Sequence, residues 1–396
     1  MEIIDRLTSE EVWNAFLKKR ELQGSMSLDE LDGLRSFILS KEYLPVAEKL
    51  RRGEYVFPIP VMREINRLSS KKKRIVYTFP EVYSNILKVI SFLLHEYDDA
   101  FAKNLYSFKE HTGVKNAVLN VTSKININNC FTYKVDVKNY FNSIDVSLLI
   151  PMLGDVLKDE PKLLDLITKL LSDPNVIYND KVISDKKGVM AGLAISGFLA
   201  NLYLSDMDSF FEERSIPYIR YSDDIIVFAE NADDIRKYEE YINEHISKMN
   251  LEINASKVVR TSPGDPVEFL GFRFENERID VSSVSLMKIK GKMKRKARKI
   301  YRWKIKKGVD NEKAVMVYIG FLNRKFYDKP VRDEMTWSRW YFPVITTDKS
   351  LKLIDDYALN CIRYIATGKH GKKNYALRYD DIKRMGYRNL VHEYWA

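Results

Sequence analysis

Three aspartates have the residue type and the setting that best fit chemistry on phosphate. Asp223 and Asp224 stand between the strand-like segment PYIRYS and the apolar run IIVF. Asp136 lies in FTYKVDV (131–137), whose alternating pattern is typical of a half-buried strand. Phosphoryl transfer can use two metal ions about 4 Å apart, and Mg²⁺ prefers carboxylate oxygens. We therefore predict that the three aspartates hold two Mg²⁺ ions, with Mn²⁺ as the alternative.

The Asp223–Asp224 pair is a locally unfavourable choice for a turn. Two-residue hairpins favour Asn-Gly or Asp-Gly, and two adjacent carboxylates repel each other. An unfavourable pair between two good strands indicates a functional role. A bare Asp-Asp pair is usually an exposed acidic turn, but the flanking strands and the separate acidic strand favour a shared site.

Two segments around these aspartates resemble known catalytic motifs. Residues 221–224, YSDD, followed by IIVF, resemble the Tyr-X-Asp-Asp motif of reverse transcriptases, and KVDVKNYFNSID (134–145) resembles the first catalytic motif of that family. The resemblance implies that Asp136 and the Val137 carbonyl bind metal together with the Asp-Asp pair. It also implies that Phe141 packs against the nucleotide sugar and excludes a 2′-hydroxyl; a core-packing role for Phe141 is the alternative.

A third segment, GVMAGLAISGFLANLYL (188–204), is similar to the loop and helix that carry nucleotide and template in this family. The similarity places Gly192 at the nucleotide. Group II intron and retron enzymes usually have Pro-Gln-Gly and then Ser-Pro here, whereas this chain has Met190-Ala191-Gly192 and Ser196-Gly197. The smaller loop resembles stand-alone bacterial reverse transcriptases linked to phage defence and abortive infection.

Basic residues precede and follow these motifs in the family order. KKKRIV (71–76) resembles the strand that grips the triphosphate, with Arg74 as the first candidate and Lys72 or Lys73 beside it. Lys109, in LYSFKEHTG, stands where the family usually has arginine, and a lysine binds phosphate only as a point charge.

A further lysine and an apolar hairpin follow the Asp-Asp pair. Lys257 resembles a lysine that family members carry after the catalytic hairpin, where it could protonate the pyrophosphate. A surface lysine is the open alternative. FLGF (269–272) resembles the primer-grip hairpin, or belongs to the core.

The positive charge of the chain is concentrated in one segment. The formal net charge is +10, and KIKGKMKRKARKIYRWKIKK (288–307) holds twelve Lys or Arg and no acid. Such a stripe is typical of a protein that binds the nucleic-acid backbone, although a solvated helix face is the alternative. The predicted nucleic-acid contacts are Lys292, Lys294, Arg295, Arg298, Lys299 and Arg302.

The order of predicted elements indicates an α+β fold with an antiparallel sheet and helices. The resemblance implies a right-hand polymerase with fingers, palm and helical thumb. We predict an N-terminal helical extension (1–65), fingers and palm (66–285) and a basic helical thumb (286–396). Within these we expect helices over 146–172 with a break at Pro161, one helix over 196–213 and a helix over 231–249. We also expect hairpins over 176–183, turning at Asn179-Asp180, and over 257–274.

Other features narrow the possible classes of protein. Two cysteines far apart exclude a disulfide framework, the five histidines lack zinc-ligand spacing, and the sequence shows neither a signal peptide nor an 18-residue apolar run. We expect a cytoplasmic protein without membrane contact.

By resemblance, this protein is an RNA-directed DNA polymerase using dNTPs and a structured non-coding RNA template, with a DNA product and a role in antiphage defence. A homo-oligomer is left open. Neither an HNH-like nuclease nor an RNase H segment follows the basic stripe, which favours a stand-alone enzyme. Alternatives are an intron- or retron-type mobility enzyme, a template-independent DNA polymerase, an RNA polymerase and an RNA-binding maturase-like protein.

Overall fold

The computed structural model describes residues 1–24, 26–66, 73–327, 336–369 and 377–396. It divides into two units. The first consists of Met1–Leu22, Met26–Ile125 and Cys130–Ser262, and the second chiefly of Asn126–Asn129 and Pro263–Ala396.

The first unit begins with four helices. They are α1 (Ile3–Arg6), α2 (Glu10–Gln23), α3 (Leu28–Leu39) and α4 (Leu44–Arg51). Trp13 is fully buried among them, stacks on Tyr43 at 4.3 Å between ring centroids, and donates its indole N–H to the Leu7 carbonyl at 2.8 Å. The predicted helical extension (1–65) is helical only as far as Arg51, since strand Val61–Asn66 begins within it. Its apolar side chains belong to the same core as the rest of the unit.

The remaining elements of the first unit alternate between helices and short strands. In chain order they are β1 (Val61–Asn66), β2 (Lys73–Thr78), α5 (Glu81–Leu93), α6 (Val114–Lys124), β3 (Phe131–Asp136), α7 (Tyr140–Ser143), α8 (Val146–Val156), α9 (Pro161–Ser172), β4 (Asn175–Tyr178), β5 (Lys181–Ser184), α10 (Ser196–Tyr203), α11 (Ser205–Glu213), β6 (Tyr218–Tyr221), β7 (Asp224–Ala229), α12 (Ala232–Lys248) and β8 (Val259–Thr261). Short 3₁₀ segments of this unit occur at Leu94–Ala100 and Ala255–Lys257. The 3₁₀ segment Ile127–Asn129 belongs to the second unit.

One sheet of this unit has the strand order β2-β1-β4-β5. Its β4–β5 hairpin turns at Asn179 and Asp180, whose φ angles of 49° and 59° are both left-handed. That geometry is a type I′ turn, which asparagine and aspartate tolerate better than other non-glycine residues. The turn predicted at these two residues is confirmed.

The other sheet of this unit has the order β6-β7-β3-β8, with every neighbouring pair antiparallel. It confirms the predicted α+β class with an antiparallel sheet. The strand at 131–137 is also confirmed, but Thr132 and Asp136 on its polar face are buried, so helices or loops cover both sides.

Two of the predicted elements are wrong in detail. The helix expected over 196–213 breaks at Leu204 into α10 and α11, and all eight residues of α10 are buried, so it is not amphipathic. The hairpin expected over 257–274 does not exist as one unit, because β8 pairs with β3. The break at Pro161 is confirmed, since this proline begins α9. At the first position of a helix the backbone N–H has no partner within the helix, so its absence in proline costs no hydrogen bond.

The second unit combines a three-stranded sheet with helices. Its elements are β9 (Val267–Phe269), β10 (Phe272–Glu275), β11 (Arg278–Val281), α13 (Ser283–Lys307), α14 (Asn311–Phe326), α15 (Trp337–Tyr341), α16 (Lys349–Thr367), α17 (Tyr379–Arg384) and α18 (Leu390–Trp395). The β9–β10 hairpin turns at Leu270 and Gly271, within the FLGF segment. Phe269 and Phe272 are buried in this unit.

The unit boundary at Ser262–Pro263 lies earlier than the boundary predicted near residue 285. The reason is that the β9–β11 sheet is bonded to the start of α13: Ser283 donates its N–H to Glu268 Oε1 at 2.9 Å, and Ser282 donates its N–H to the Gly271 carbonyl at 2.8 Å. Within the described ranges, none of the helices has both the length and the apolar character needed to cross a membrane.

Candidate active site

The sheet brings Asp136 next to the acidic turn. In the antiparallel register of β3 and β7, Asp136 is the direct partner of Asp224. Directly opposed residues project from the same face, about 5 Å apart. The Val137 N–H donates to the Asp223 carbonyl at 3.1 Å, which ties the first motif to the turn itself. The backbone thus places all three predicted aspartates at one end of the sheet.

The acidic turn is formed by Ser222 and Asp223, while Asp224 is already the first residue of β7. The sequence-based prediction of an Asp-Asp turn is therefore off by one residue. Ser222 has a left-handed φ of 61°, uncommon for serine, in a two-residue loop. Its N–H donates to the Ser107 hydroxyl at 2.8 Å, which holds the turn from the neighbouring loop.

A fully buried ion pair lies next to this turn. Arg220 Nε donates to Asp208 Oδ1 at 2.8 Å, a second guanidinium N–H reaches Oδ2, and both side chains are inaccessible to solvent. Arg220 also donates to the Ser222 carbonyl at 3.4 Å and to the Asn201 carbonyl at 2.8 Å. Tyr218 donates its hydroxyl to Asp208 at 2.9 Å. Burial would lower the pKa of Arg220, but Asp208 raises it above its ordinary value.

Asp136 is held by two side chains from the segment before β8. Lys257 Nζ donates to Asp136 Oδ2 at 2.5 Å, and Asn254 Nδ2 donates to Oδ1 at 3.3 Å. The Asn254 N–H also donates to the Asp136 carbonyl at 2.8 Å. Asp136 is almost buried, whereas half of the Lys257 side chain is exposed. The Lys257 ammonium therefore contacts Asp136, a predicted metal ligand, while the lysine side chain remains accessible to solvent.

The pKa values of Asp223 and Asp224 are both raised above the ordinary value of an aspartate. Burial, followed by repulsion from Asp136, raises the pKa of Asp223, and Lys257 and Arg74 offset part of the shift. Burial raises the pKa of Asp224 to about 6; Lys134 opposes this rise and the other two carboxylates add to it. Carboxylates that resist ionisation next to one another are stabilised by a bound cation.

The residues present fit a divalent metal site in their chemistry. Three carboxylates meet at one sheet end, and oxygen ligands of this kind suit Mg²⁺. Within the described part of the chain, no three His, Cys, Asp or Glu side chains are already arranged around a common point. Lys257 and Asn254 donate hydrogen bonds to the two carboxylate oxygens of Asp136. The metal-binding roles of Asp136, Val137, Asp223 and Asp224 stay predictions.

The glycine-containing loop before α10 packs tightly between β2 and the turn that carries Phe141. Val189 donates its N–H to the Phe141 carbonyl at 2.9 Å, and a Cβ on Gly188 would lie 2.3 Å from that oxygen. Gly192 has φ 109°, and a Cβ there would lie 3.1 Å from the Tyr77 carbonyl. Both positions therefore require glycine.

The predicted triphosphate-binding residues have different surroundings. Arg74 is exposed and close enough to Asp223 to lower its pKa, as expected for a cation facing the site. Lys73 is exposed and pairs with Glu64 on β1. Lys72 lies outside the described residues.

Lys109 does not point freely toward a ligand. Its Nζ donates to the Ala102 carbonyl at 2.9 Å. Burial lowers the pKa of its amine, and Asp98 and Asp208 oppose this shift. The observed contact gives no support to its predicted role in nucleotide binding, which stays a prediction.

The basic helix α13 shows a clear division of faces. Ile289, Met293, Ala297 and Ile300 form its buried stripe. The six predicted nucleic-acid contacts are all exposed on the rest of the surface: Lys292, Lys294, Arg295, Arg298, Lys299 and Arg302. Lys304 is different, since it is buried and donates to the Ile365 and Ala366 carbonyls at the end of α16.

Sequence reasoning missed four residues that support the site: Arg220, Asp208, Ser107 and Asn254. A signal existed for the first two. Arg220 interrupts the apolar strand PYIRYS, and Asp208 interrupts the apolar pattern of 196–213. A charged residue where the pattern predicts burial usually has a buried partner.

Comparison with known proteins agrees with this geometry. A family model described as reverse transcriptase (RNA-dependent DNA polymerase) matches residues 65–274, more than half of the chain. The COX1/OXI3 intron 2 protein of Saccharomyces cerevisiae is 26% identical over 118 residues, which is 30% of this chain and 14% of the yeast protein. The chain therefore spans only a small part of that curated relative.

Among solved structures, two yeast telomerases are similar. Telomerase from Candida albicans, in complex with a TWJ fragment of telomeric RNA, is 11% identical, with 89% of this chain and 71% of that chain covered and a TM-score of 0.48. Apo telomerase from Candida tropicalis, truncated from its C-terminal domain, is 16% identical, with 57% and 55% covered and a TM-score of 0.46. These distant likenesses assign no substrate. On the strength of the family match, the chain belongs to the reverse transcriptase family.

Proposed function

We propose that this protein is an RNA-directed DNA polymerase that adds dNTPs to a primer hydroxyl. The observation that carries the proposal is the β3–β7 register, which sets Asp136 opposite Asp224 with Asp223 in the adjoining turn. Asp136, Asp223 and Asp224 would hold the metal ions, which would supply positive charge for the attacking hydroxyl and for the leaving pyrophosphate. Family membership and the order of the motifs support the same conclusion.

The side chains around the aspartates have distinct roles in this reaction. Arg74 lies in electrostatic reach of Asp223 and binds the triphosphate. Lys257 donates a hydrogen bond to Asp136 and, when released from this contact, donates a proton to the pyrophosphate. Phe141 contacts the sugar and rejects a 2′-hydroxyl. Gly192 keeps the loop beneath the nucleotide close to β2.

The exposed cations of α13 bind the template–primer backbone in this proposal. Helix α13 presents a wide basic surface opposite its buried stripe, and aromatic residues on it are few, which favours phosphate contacts over base stacking. The affinity would then depend strongly on salt and weakly on sequence.

The finer proposal concerns template and biological role. A dedicated structured non-coding RNA as template and a function in antiphage defence are supported by the resemblance of the Met190-Ala191-Gly192 loop to defence-associated enzymes. A cytoplasmic location is part of the same proposal. Sequencing the nucleic acids that copurify with the protein tests the template. Phage plating on cells that express the active chain or the inactive variant described next tests the role.

The activity is tested with Asp223→Ala/Asp224→Ala in primer extension on an RNA template. We expect the variant to lose synthesis and to retain RNA binding. The matched control is Asp233→Ala/Asp234→Ala, the same pair of changes at the start of α12, where the Asp233 side chain is 76% exposed. Undiminished extension by the first variant would contradict the proposal. Extension with rNTPs in place of dNTPs would point to an RNA polymerase instead.

A further inference from the structure

Phe108 is an exposed aromatic residue beside Phe141 that the proposed function does not yet use. Its side chain is 48% exposed, and its backbone is left-handed with φ 54°. A bulky residue rarely adopts this conformation, because its Cβ then crowds the backbone. The surroundings must therefore hold Phe108 in place.

The ring of Phe108 rests on Gly197, in the first turn of α10. A Cβ on Gly197 would lie 2.6 Å from Phe108 Cγ, 2.8 Å from Cδ1 and 3.0 Å from Cβ. These distances are shorter than any ordinary carbon contact, so even alanine at 197 would push the ring away. The absence of a side chain at this position is what lets the ring lie flat against the helix.

Two contacts fix where the ring points. Phe108 packs edge-to-face on Phe141, at 5.9 Å between centroids and 84° between planes. The preceding residue, Ser107, is buried and its hydroxyl accepts from the Ser222 N–H in the catalytic turn. The segment Ser107-Phe108 is therefore hydrogen-bonded to the catalytic turn through Ser107 and contacts Phe141 through the ring of Phe108.

Phe141 has a second aromatic neighbour, Tyr140, which is held in place by a buried hydrogen bond. Tyr140 is 5.9 Å away between centroids, and its hydroxyl donates to the Ala200 carbonyl at 2.5 Å in the buried core. Tyr140 cannot follow if Phe141 turns. Phe108 is the exposed aromatic neighbour, so removing it frees space on the side open to solvent.

We propose that Phe108 is a positioning residue that holds Phe141 against the nucleotide sugar and thereby sets how strongly the site rejects ribonucleotides. The inference rests on the proposed function, which gives Phe141 its contact with the sugar. An edge-to-face contact of this kind corresponds to roughly a three- to tenfold change in an equilibrium. Discrimination between dNTP and rNTP is expected to fall by that factor when Phe108 is removed.

The experiment is single-nucleotide incorporation, with kcat and KM measured for dATP and ATP. We expect Phe108→Ala and Gly197→Ala to lower the dATP/ATP ratio of kcat/KM about three- to tenfold. The change should arise in the ATP values, with kcat for dATP within about twofold. Phe108→Tyr keeps the ring and should restore the wild-type ratio.

Two controls separate positioning from general damage. Gly154→Ala is a helical glycine substitution with room for the methyl, since its nearest neighbour would be 3.9 Å away, and it should leave the ratio unchanged. Adding Phe108→Ala to Phe141→Ala should produce no further loss, because Phe108 acts through Phe141.

The outcomes that overturn the inference differ from those that overturn the proposed function. If the wild type extends primers with dATP but both Phe108→Ala and Gly197→Ala keep the wild-type ratio, the positioning role is wrong. Additive effects of Phe108→Ala and Phe141→Ala would also overturn it. If the wild type incorporates no dATP at all, the polymerase assignment itself fails.

Discussion

The buried Arg220–Asp208 pair should be the most sensitive point of the first unit. Both side chains are inaccessible to solvent, so removing one partner leaves a buried charge without compensation. Such changes destabilise proteins by about 3–5 kcal/mol. For a unit of this size that corresponds to a fall in Tm of roughly 6–20 °C. We expect losses in this range for Asp208→Asn and for Arg220→Met.

The double variant provides the sharper test. Removing both charges together leaves no unpaired ion, so Asp208→Asn/Arg220→Met should lose clearly less than the sum of the two single variants. The assay is thermal and urea unfolding followed by circular dichroism. The control is the pair Arg236–Asp233 on α12, whose side chains are 70% and 76% exposed. Its single variants should change stability by less than about 0.5 kcal/mol.

The same substitutions should affect catalysis below the melting temperature. Arg220 donates to the Ser222 carbonyl, so its loss frees the turn that carries Asp223. We expect kcat of Arg220→Met to fall while the secondary structure is intact. Single variants that unfold within about 1 kcal/mol of the wild type would refute the view that this pair holds the turn.

Three further outcomes follow from the site. The pKa of Asp224 in the folded, metal-free protein is raised to about 6. The folded state therefore keeps the proton of Asp224 more tightly than the unfolded chain does, and the free energy of unfolding falls as pH rises through 6. Between pH 5 and pH 8, the free energy of unfolding in urea should fall by roughly 1–2 kcal/mol more for the wild type than for Asp224→Asn. The same pH dependence in both proteins would contradict this. Lys257→Met removes a cation that competes with metal for Asp136. Titration should show Mn²⁺ binding up to about fivefold tighter, whereas kcat should fall. Weaker Mn²⁺ binding by the variant would argue against competition. Arg295→Gln/Arg298→Gln/Arg302→Gln in α13 should weaken template binding and reduce its slope against log salt by about 0.9 for each lost phosphate contact, and an unchanged slope would exclude these contacts.

The sequence alone predicted the strands that carry the three aspartates well, because their signals are local. Alternation in 131–137 and the apolar segments around YSDD define β3, β6 and β7 without knowledge of the rest. The type I′ turn at Asn179-Asp180 is equally local, since both residues tolerate a left-handed backbone.

The sequence could not predict features that depend on distant partners. β8 pairs with β3 and not with β9. The Pro263-Gly264 turn signal predicts a local hairpin instead. The orientation of Lys109 depends on the Ala102 carbonyl and on acids from other segments. The contact of Lys257 with Asp136 joins residues 121 positions apart. Such contacts arise only when the packed unit exists.

Asp136, Asp223 and Asp224 are proposed to share a pair of divalent ions. The most direct measurement is anomalous diffraction from crystals of the protein with Mn²⁺, primer–template and a non-hydrolysable dNTP. We expect two Mn²⁺ peaks about 4 Å apart, both within coordination distance of Asp136 and at least one of the other two carboxylates, with Lys257 displaced from Asp136. A bound nucleotide without any Mn²⁺ peak at Asp136 would contradict the account.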